Sequence, residues 1–165
     1  MTEPRVFEKQ LFAGWGDMDF NSHMRNTAFL DKSADVRMMF FAEHGFPTAE
    51  FMRRSLGPVI LKDELEYFKE VRLLEPLRIT LAVAALADDG SRFSMRNEFW
   101  KPEGKLAARV NSYAGWLDLS ARRLVLPPDV LLAALRSLPQ TDDFQVLPST
   151  STTRPNAHEQ GGGSR

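Results

Sequence analysis

The sequence predicts an α+β domain in which one long helix packs against an antiparallel sheet. Residues 27–44 contain neither proline nor glycine and are rich in Leu, Met, Ala and Phe, as expected of a single helix. Beyond Pro58 the chain changes to strand-like segments of about ten residues, interrupted by Asp89-Gly90 and Glu103-Gly104. Such pairs favour tight hairpins, so we expect the strands to be antiparallel neighbours.

The remaining elements follow in chain order. A first strand is expected within residues 5–14, where loosely alternating residues end in glycine. A loop rich in Gly, Asp, Asn and Ser leads from it into the long helix, which Gly45 and Pro47 end. A connection at 48–57 with one helical turn precedes the later strands, and a short amphipathic helix at 130–138 follows them. The later strands are predicted at 58–70, 74–87, 91–101 and 105–119.

Length and composition indicate one domain, which we place at residues 1–138 of the 165-residue chain. Residues 139–165 are rich in Ser, Thr, Pro, Gln and Asn and are expected to form a flexible C-terminal tail. Lys and Arg number 21 against 22 Asp and Glu, which argues against a nucleic-acid partner. No apolar run is long enough for a signal peptide or a membrane span, so we expect a cytoplasmic protein without a membrane partner.

Signals for metals and cofactors are missing from the sequence. The chain has no cysteine, and its three histidines form no metal-ligand pattern. It has no glycine-rich phosphate loop before a helix and no G-x-S-x-G turn. We therefore expect neither a metal site nor a cofactor.

Two carboxylates, Asp17 and Asp19, precede the long helix. Asp19 lies seven residues before Asn26 and is too distant for a simple N-cap, a role that Asn26 fits better. The pair can compensate the helix dipole. Alternatively, Asp19 can act as nucleophile or general base beside free N–H groups of the helix start, such as that of Asn26, which would stabilise an oxyanion.

The stretch GDMDFNSHMRNTAFLDKSADVR resembles the signature of the 4-hydroxybenzoyl-CoA thioesterase-like, hotdog-fold acyl-CoA thioesterases, D-x-D-x-x-G-H-x-N-N-x-x-Y. The family's catalytic Asp corresponds to Asp19. The family's His corresponds to His23, and its second Asn corresponds to Asn26. The helix Arg that follows eighteen residues after the catalytic Asp falls on Arg37. The resemblance implies a hotdog fold, in which an antiparallel sheet wraps around one long central helix.

The same resemblance assigns roles to these residues. It implies that Asp19 attacks the thioester carbonyl or activates a water, while the N–H of Asn26 polarises that carbonyl. His23 either positions substrate or water or fixes the loop, and Asp17 is expected to be structural. The chain departs from the signature at four positions, where the family has Gly, Asn, Tyr and Glu: Ser22, Arg25, Phe29 and Ala34.

Arg37 falls on the apolar face of the predicted helix, where a guanidinium needs a partner. We expect the partner to be an acid on the sheet or on a partner subunit; Glu64, Glu66 and the acids of the 17–19 loop are the candidates. The pair would either support the fold alone or order acids near the site.

Three functions remain open at this point. The resemblance favours an acyl-CoA thioesterase that acts as a homodimer or homotetramer, because hotdog domains pair their sheets. A non-catalytic protein that binds acyl chains or acyl carriers on the same scaffold is the alternative. A third possibility is an assembly partner that uses an exposed strand edge.

Overall fold

The structure, a computed structural model, describes residues 5–149. The long helix α1 spans Asn26–Glu43 and the fourth predicted strand ends at Asp118, so the expected helix–strand order is confirmed. The elements in chain order are β1 (Phe7–Phe12), a 3-10 turn (Trp15–Asp17), α1 (Asn26–Glu43), α2 (Thr48–Arg53), β2 (Leu56–Tyr67), β3 (Pro76–Ala87), β4 (Arg92–Trp100), β5 (Leu106–Asp118), β6 (Arg123–Val125), α3 (Asp129–Ser137) and β7 (Gln140–Leu147).

Within residues 5–149 the strands form one sheet with the order β1-β3-β4-β5-β2, to which β6 and β7 add at the ends of β5 and β3. The predicted hairpins are confirmed, because β3 pairs antiparallel with β4 and β4 with β5. Gly90 and Gly104 in the two turns adopt positive φ, as tight turns require. The strand β2 lies at one edge of the sheet, where it pairs with β5 alone among the described strands.

Helix α1 covers one face of this sheet through an aromatic core. Its Phe29 ring meets Phe99 of β4 edge-on at 5.1 Å, and its Phe41 ring meets Trp116 of β5 at 5.7 Å. All four side chains are buried. Strands β3 and β4 alternate between buried and half-buried residues, which is the pattern of strands with one face against a core. The sheet around one long helix is the architecture that the sequence predicts.

The C-terminal segment differs from the prediction. Residues Gln140–Leu147, expected within a flexible tail, form β7, which runs parallel to β3 and continues its edge beyond β1. Phe144 packs against the core, and Arg96 of β4 holds Asp143 at 2.9 Å. The polar composition that suggests disorder is also the composition of a strand that leaves most of its side chains in solvent. The rest of the predicted tail, residues 150–165, lies outside the described residues.

Candidate active site

The loop between the 3-10 turn and α1 is a small hairpin. Met18 and Met24 form an isolated antiparallel bridge, and the Asp19 N–H donates to the His23 carbonyl at 2.9 Å. The Met24 N–H donates to the carbonyl of Val71, on the segment after β2, at 2.8 Å. The loop is thereby tied to the sheet side of the molecule, with Asp19 and His23 opposite each other.

The Asp19 carboxylate is held on both oxygens. Its Oδ1 accepts the backbone N–H of Asn21 at 2.8 Å and that of His23 at 3.4 Å. Its Oδ2 lies 3.2 Å from Nδ1 of the His23 ring. About a quarter of each side chain is exposed, 24% for Asp19 and 27% for His23. The backbone contacts of Oδ1 fix the carboxylate in the loop, and Oδ2 contacts the imidazole of His23.

The tautomer of His23 follows from its neighbours. Nδ1 faces two acceptors, Asp19 Oδ2 at 3.2 Å and the Met24 carbonyl at 3.4 Å. A ring nitrogen between two oxygens carries the proton, so in a neutral ring Nε2 holds the free lone pair. A carboxylate that fixes the tautomer of an imidazole is an arrangement that serves acid–base chemistry.

The start of α1 differs by one residue from the prediction. Arg25, not Asn26, is the N-cap, with φ −70° and ψ 155°, and its side chain makes no cap hydrogen bond. The physical reason is that the Arg25 carbonyl already accepts the Ala28 N–H, which leaves Asn26 as the first helical residue. The N–H of Asn26 therefore belongs to the first turn, where a helix offers no internal acceptor. The Asn26 carbonyl accepts the Tyr67 hydroxyl at 3.3 Å.

His23 and Asn26 line the same cavity, which has a volume of about 240 Å³. Phe29 and Tyr67, whose rings meet at 5.5 Å, form its apolar wall, and Asp19 is not among its lining residues. The other lining residues are Met24, Phe68, Lys69, Glu70 and Val71. The structure thus brings the three predicted site residues together, with the Asp19 carboxylate in contact with the His23 ring. The wall at 67–71 was not predicted, since no sequence signal links it to a loop some forty residues earlier.

The contacts of Asp17 are with residues that hold the loop in place, as expected of a structural residue. Its Oδ2 accepts the Gly14 N–H at 2.7 Å and lies 2.9 Å from Lys32 Nζ. Its carbonyl accepts the N–H of the N-cap residue, Arg25, at 2.8 Å. Burial acts to raise the pKa of Asp17, but the Lys32 ammonium and the Gly14 N–H outweigh it and lower the pKa. These contacts join the 3-10 turn to the first turns of α1.

Within residues 5–149, none of the acids named as candidate partners forms an ion pair with Arg37. Glu64 pairs with Lys62 at 2.6 Å, Glu66 lies 3.9 Å from Arg109, and Asp17 is taken by Lys32. Burial lowers the pKa of Arg37, and the nearby carboxylate of Asp63 offsets part of this effect. The acids of β2 are exposed, because β2 lies at the edge of the sheet. The sequence pattern did not indicate that this strand is an edge strand.

Two further observations limit the chemistry of the described residues. Within residues 5–149, no group of three or more His, Asp or Glu side chains is placed to hold a metal ion. None of the helices in that range is long and apolar enough to cross a bilayer.

Comparison with known proteins gives a family match and many structural neighbours. The model of the thioesterase-like superfamily matches residues 13–135. A Staphylococcus aureus protein solved in complex with CoA superposes with a TM-score of 0.74 at 19% identity, covering 84% of this chain and 89% of that one. A 1,4-dihydroxy-2-naphthoyl-CoA thioesterase from Synechocystis gives 0.71 at 14% identity, covering 80% and 96%.

A gentisyl-CoA thioesterase gives a TM-score of 0.70 at 18% identity, with 78% of this chain and 98% of the other covered. A search of curated proteins found no match. At these identities the neighbours establish the fold, which is the hotdog fold that the sequence predicts.

Proposed function

Because the chain belongs to the thioesterase-like superfamily, we propose that it hydrolyses an acyl-CoA thioester to the free acid and CoA. The observation that carries the proposal is the shared cavity of His23 and the Asn26 helix start, with Asp19 bonded to His23. The neighbours solved with CoA, or named as naphthoyl-CoA and gentisyl-CoA thioesterases, support CoA as the thiol. A cytoplasmic location stays a prediction.

The proposed reaction adds water across the thioester. Asp19 acts as nucleophile or as general base. Its contact with Nδ1 of His23, together with its absence from the cavity lining, supports the activation of water over direct attack. The water oxygen bonds to the carbonyl carbon, and its proton passes to the Asp19–His23 pair. The N–H of Asn26 stabilises the oxyanion that forms, after which the C–S bond breaks and the thiolate takes up a proton.

Release of thiol from a panel of short, long and aromatic acyl-CoA esters tests the activity. The chain has no cysteine, so a thiol-reactive dye reports only the product. Asp19→Asn keeps a loop acceptor in place and is expected to lower kcat by about 10²–10⁴-fold. Asp17→Asn, which alters a loop carboxylate outside the cavity, is the matched control and should keep most of the activity.

Absence of thiol release from every ester would contradict the proposal and favour the alternative, a non-catalytic protein that binds acyl chains or acyl carriers. Calorimetry with the same esters distinguishes a thioesterase from a non-catalytic binding protein. A binding protein should retain its affinity in Asp19→Asn, since that variant changes no residue lining the cavity.

The oxyanion donor is a backbone group, and its position allows a direct test. Asn26 is the first residue of α1, where proline is well tolerated because the helix does not use that N–H. The extended backbone of Arg25 is also the conformation that a residue before proline prefers. Asn26→Pro should therefore keep the helix and lower kcat by about 10²–10³-fold. Asn26→Ala retains the N–H and should stay active; equal activity of the two variants would exclude the role.

We also infer that two copies pair along β2. This strand of 12 residues has a hydrogen-bonding edge that no other described strand covers. Ile60 and Leu61 on it are 41% and 45% exposed, and Ala34 of α1 is exposed nearby, beside the same cavity as Ile60. An uncovered edge strand with exposed apolar residues is a site for pairing with another chain. These features support a homodimer, or a homotetramer built from such dimers.

A further inference from the structure

A second cavity lies between α1 and the sheet, on the C-terminal half of the helix. Its volume is about 180 Å³, and we call it the Arg37 cavity. Its walls are mainly apolar and include Ala34, Met38, Phe41, Ile60, Phe93 and Met95. The polar lining side chains are Arg37 and Ser112. An apolar cavity of about 150 Å³ is large enough for benzene, so this one accepts a ring or several methylene groups.

The Arg37 guanidinium in this cavity lacks a bonded partner. The residue is 8% exposed, and its Nη1 is buried without a hydrogen bond to any described residue. Asp63, the acid whose charge acts on Arg37, is exposed, accepts the Ser112 hydroxyl at 2.6 Å and forms no ion pair with Arg37 within residues 5–149. An arginine stays protonated under these conditions, and a buried charge without a partner is strongly destabilising. The cavity therefore presents a guanidinium whose Nη1 is unsatisfied and whose charge Asp63 offsets only in part, at an apolar wall.

We propose that the Arg37 cavity binds a carboxylate at the far end of the acyl group, so that the substrates are thioesters of dicarboxylic acids. This inference rests on the proposed function. An apolar cavity with one buried guanidinium matches an apolar chain that ends in an anion. Guanidinium and carboxylate form short, paired hydrogen bonds, which would satisfy the free Nη1.

Arg37 lies on the same side of α1 as Asn26, the proposed oxyanion donor. Eleven residues separate Asn26 from Arg37, and at 100° per residue the two directions differ by about 20°. Both residues thus lie on one stripe of α1, about 16 Å apart along its axis. This separation sets the range of chain lengths that a test has to cover.

The test compares acyl-CoA esters in matched pairs of equal length, with and without a terminal carboxylate. The pairs are adipoyl- and hexanoyl-CoA, suberoyl- and octanoyl-CoA, and dodecanedioyl- and dodecanoyl-CoA. For at least one pair, the wild type should show about 10- to 100-fold higher kcat/KM with the dicarboxylic ester, the range of a hydrogen bond to a charged group. Arg37→Met should lose this preference and should still hydrolyse the methyl-ended ester.

Arg96→Met is the control for the loss of a positive charge at a half-buried site. Arg96 follows Met95 on β4 and so points to the opposite face of the sheet, where it contacts Asn111 at 2.7 Å and Asp143 at 2.9 Å. This variant should keep the substrate preference and lose thermal stability. Arg37→Met should keep or raise the melting temperature, because it removes a buried charge that forms no ion pair within residues 5–149 and that Asp63 offsets only in part.

Three results overturn the inference. The first is a wild type that hydrolyses both members of every pair at similar kcat/KM, which leaves the thioesterase proposal intact. The second is a fall in melting temperature of Arg37→Met together with a shift to monomers, which would assign the partner of Arg37 to a second copy. If no ester is hydrolysed, the thioesterase proposal fails, and calorimetry with dodecanedioyl- and dodecanoyl-CoA tests the cavity directly. Equal affinities of these two esters are the third result.

Discussion

Oδ2 of Asp19 lies 3.2 Å from Nδ1 of His23, while Oδ1 of the same carboxylate accepts the Asn21 N–H at 2.8 Å. One carboxylate therefore builds the loop with one oxygen and orients an imidazole with the other. Residues that act as such a unit have strongly non-additive effects on rate.

From this contact we predict that Asp19→Asn and His23→Ala each lower kcat severely and that the double variant is no slower than the slower single variant. Steady-state thiol release with one good ester gives all three rates. Independent roles would instead give a double variant whose loss is the product of the two single losses.

Ser22 adopts φ 66°, at the position where the family signature has glycine. A left-handed conformation costs a residue with a Cβ about 1–2 kcal/mol. A glycine at this position avoids that cost but loses more conformational entropy on folding, which cancels part of the gain. Ser22→Gly is thus expected to raise the free energy of unfolding by up to about 1 kcal/mol in thermal or denaturant unfolding. Ser94→Gly, within the extended strand β4, is the control and should be destabilising; a destabilised Ser22→Gly would refute the strain argument.

The edge of β2 gives a prediction about assembly. The pairing of β2 with β5 shifts register between Ile60 and Lys62, so Leu61 has no partner in β5. Leu61→Glu should therefore fold and shift the protein from dimer to monomer in light scattering, because a buried charge at the pairing edge opposes association. Val146→Glu places the same charge at an exposed apolar site on β7 and should leave the mass unchanged. A wild type that is monomeric would end this inference.

Asp143 makes the attachment of β7 pH-dependent. The hydrogen bond from Arg96, at 2.9 Å, is the largest cause that lowers the pKa of Asp143 to about 2. Since the pKa is about 3.9 in an unfolded chain, the contact stabilises the fold fully above that pH and is lost as the pH falls toward 2. At pH 6 the melting temperature of the wild type should be higher than that of Asp143→Asn. This difference in melting temperature should disappear between about pH 4 and 2.

Asp142→Asn, next to Asp143 on the same exposed strand, serves as the control and should show a much smaller gap at pH 6. A wild-type advantage over Asp143→Asn that persists at pH 2 would be inconsistent with this origin.

The fold was largely predictable because its signals are local. Gly45 and Pro47 end the long helix, and glycines at 90 and 104 close the hairpins, so neighbouring residues determine these boundaries. The site was predictable only where the signature covers it. Asp19 and His23 are four residues apart on one hairpin, whereas the Tyr67 hydroxyl reaches the Asn26 carbonyl from 41 residues away. A contact between distant segments depends on the packing of the sheet, which no local pattern encodes.

The parallel strand β7 has a consequence for how much of the chain the domain requires. It pairs with Val83, Ala85, Leu86 and Ala87 of β3, all buried apolar residues beyond the reach of β1. A chain shortened at Leu138, the boundary that composition suggests, would leave this part of β3 as an open apolar edge. Such edges recruit strands from other molecules, so the truncated protein should aggregate. During synthesis the same edge stays open until β7 leaves the ribosome.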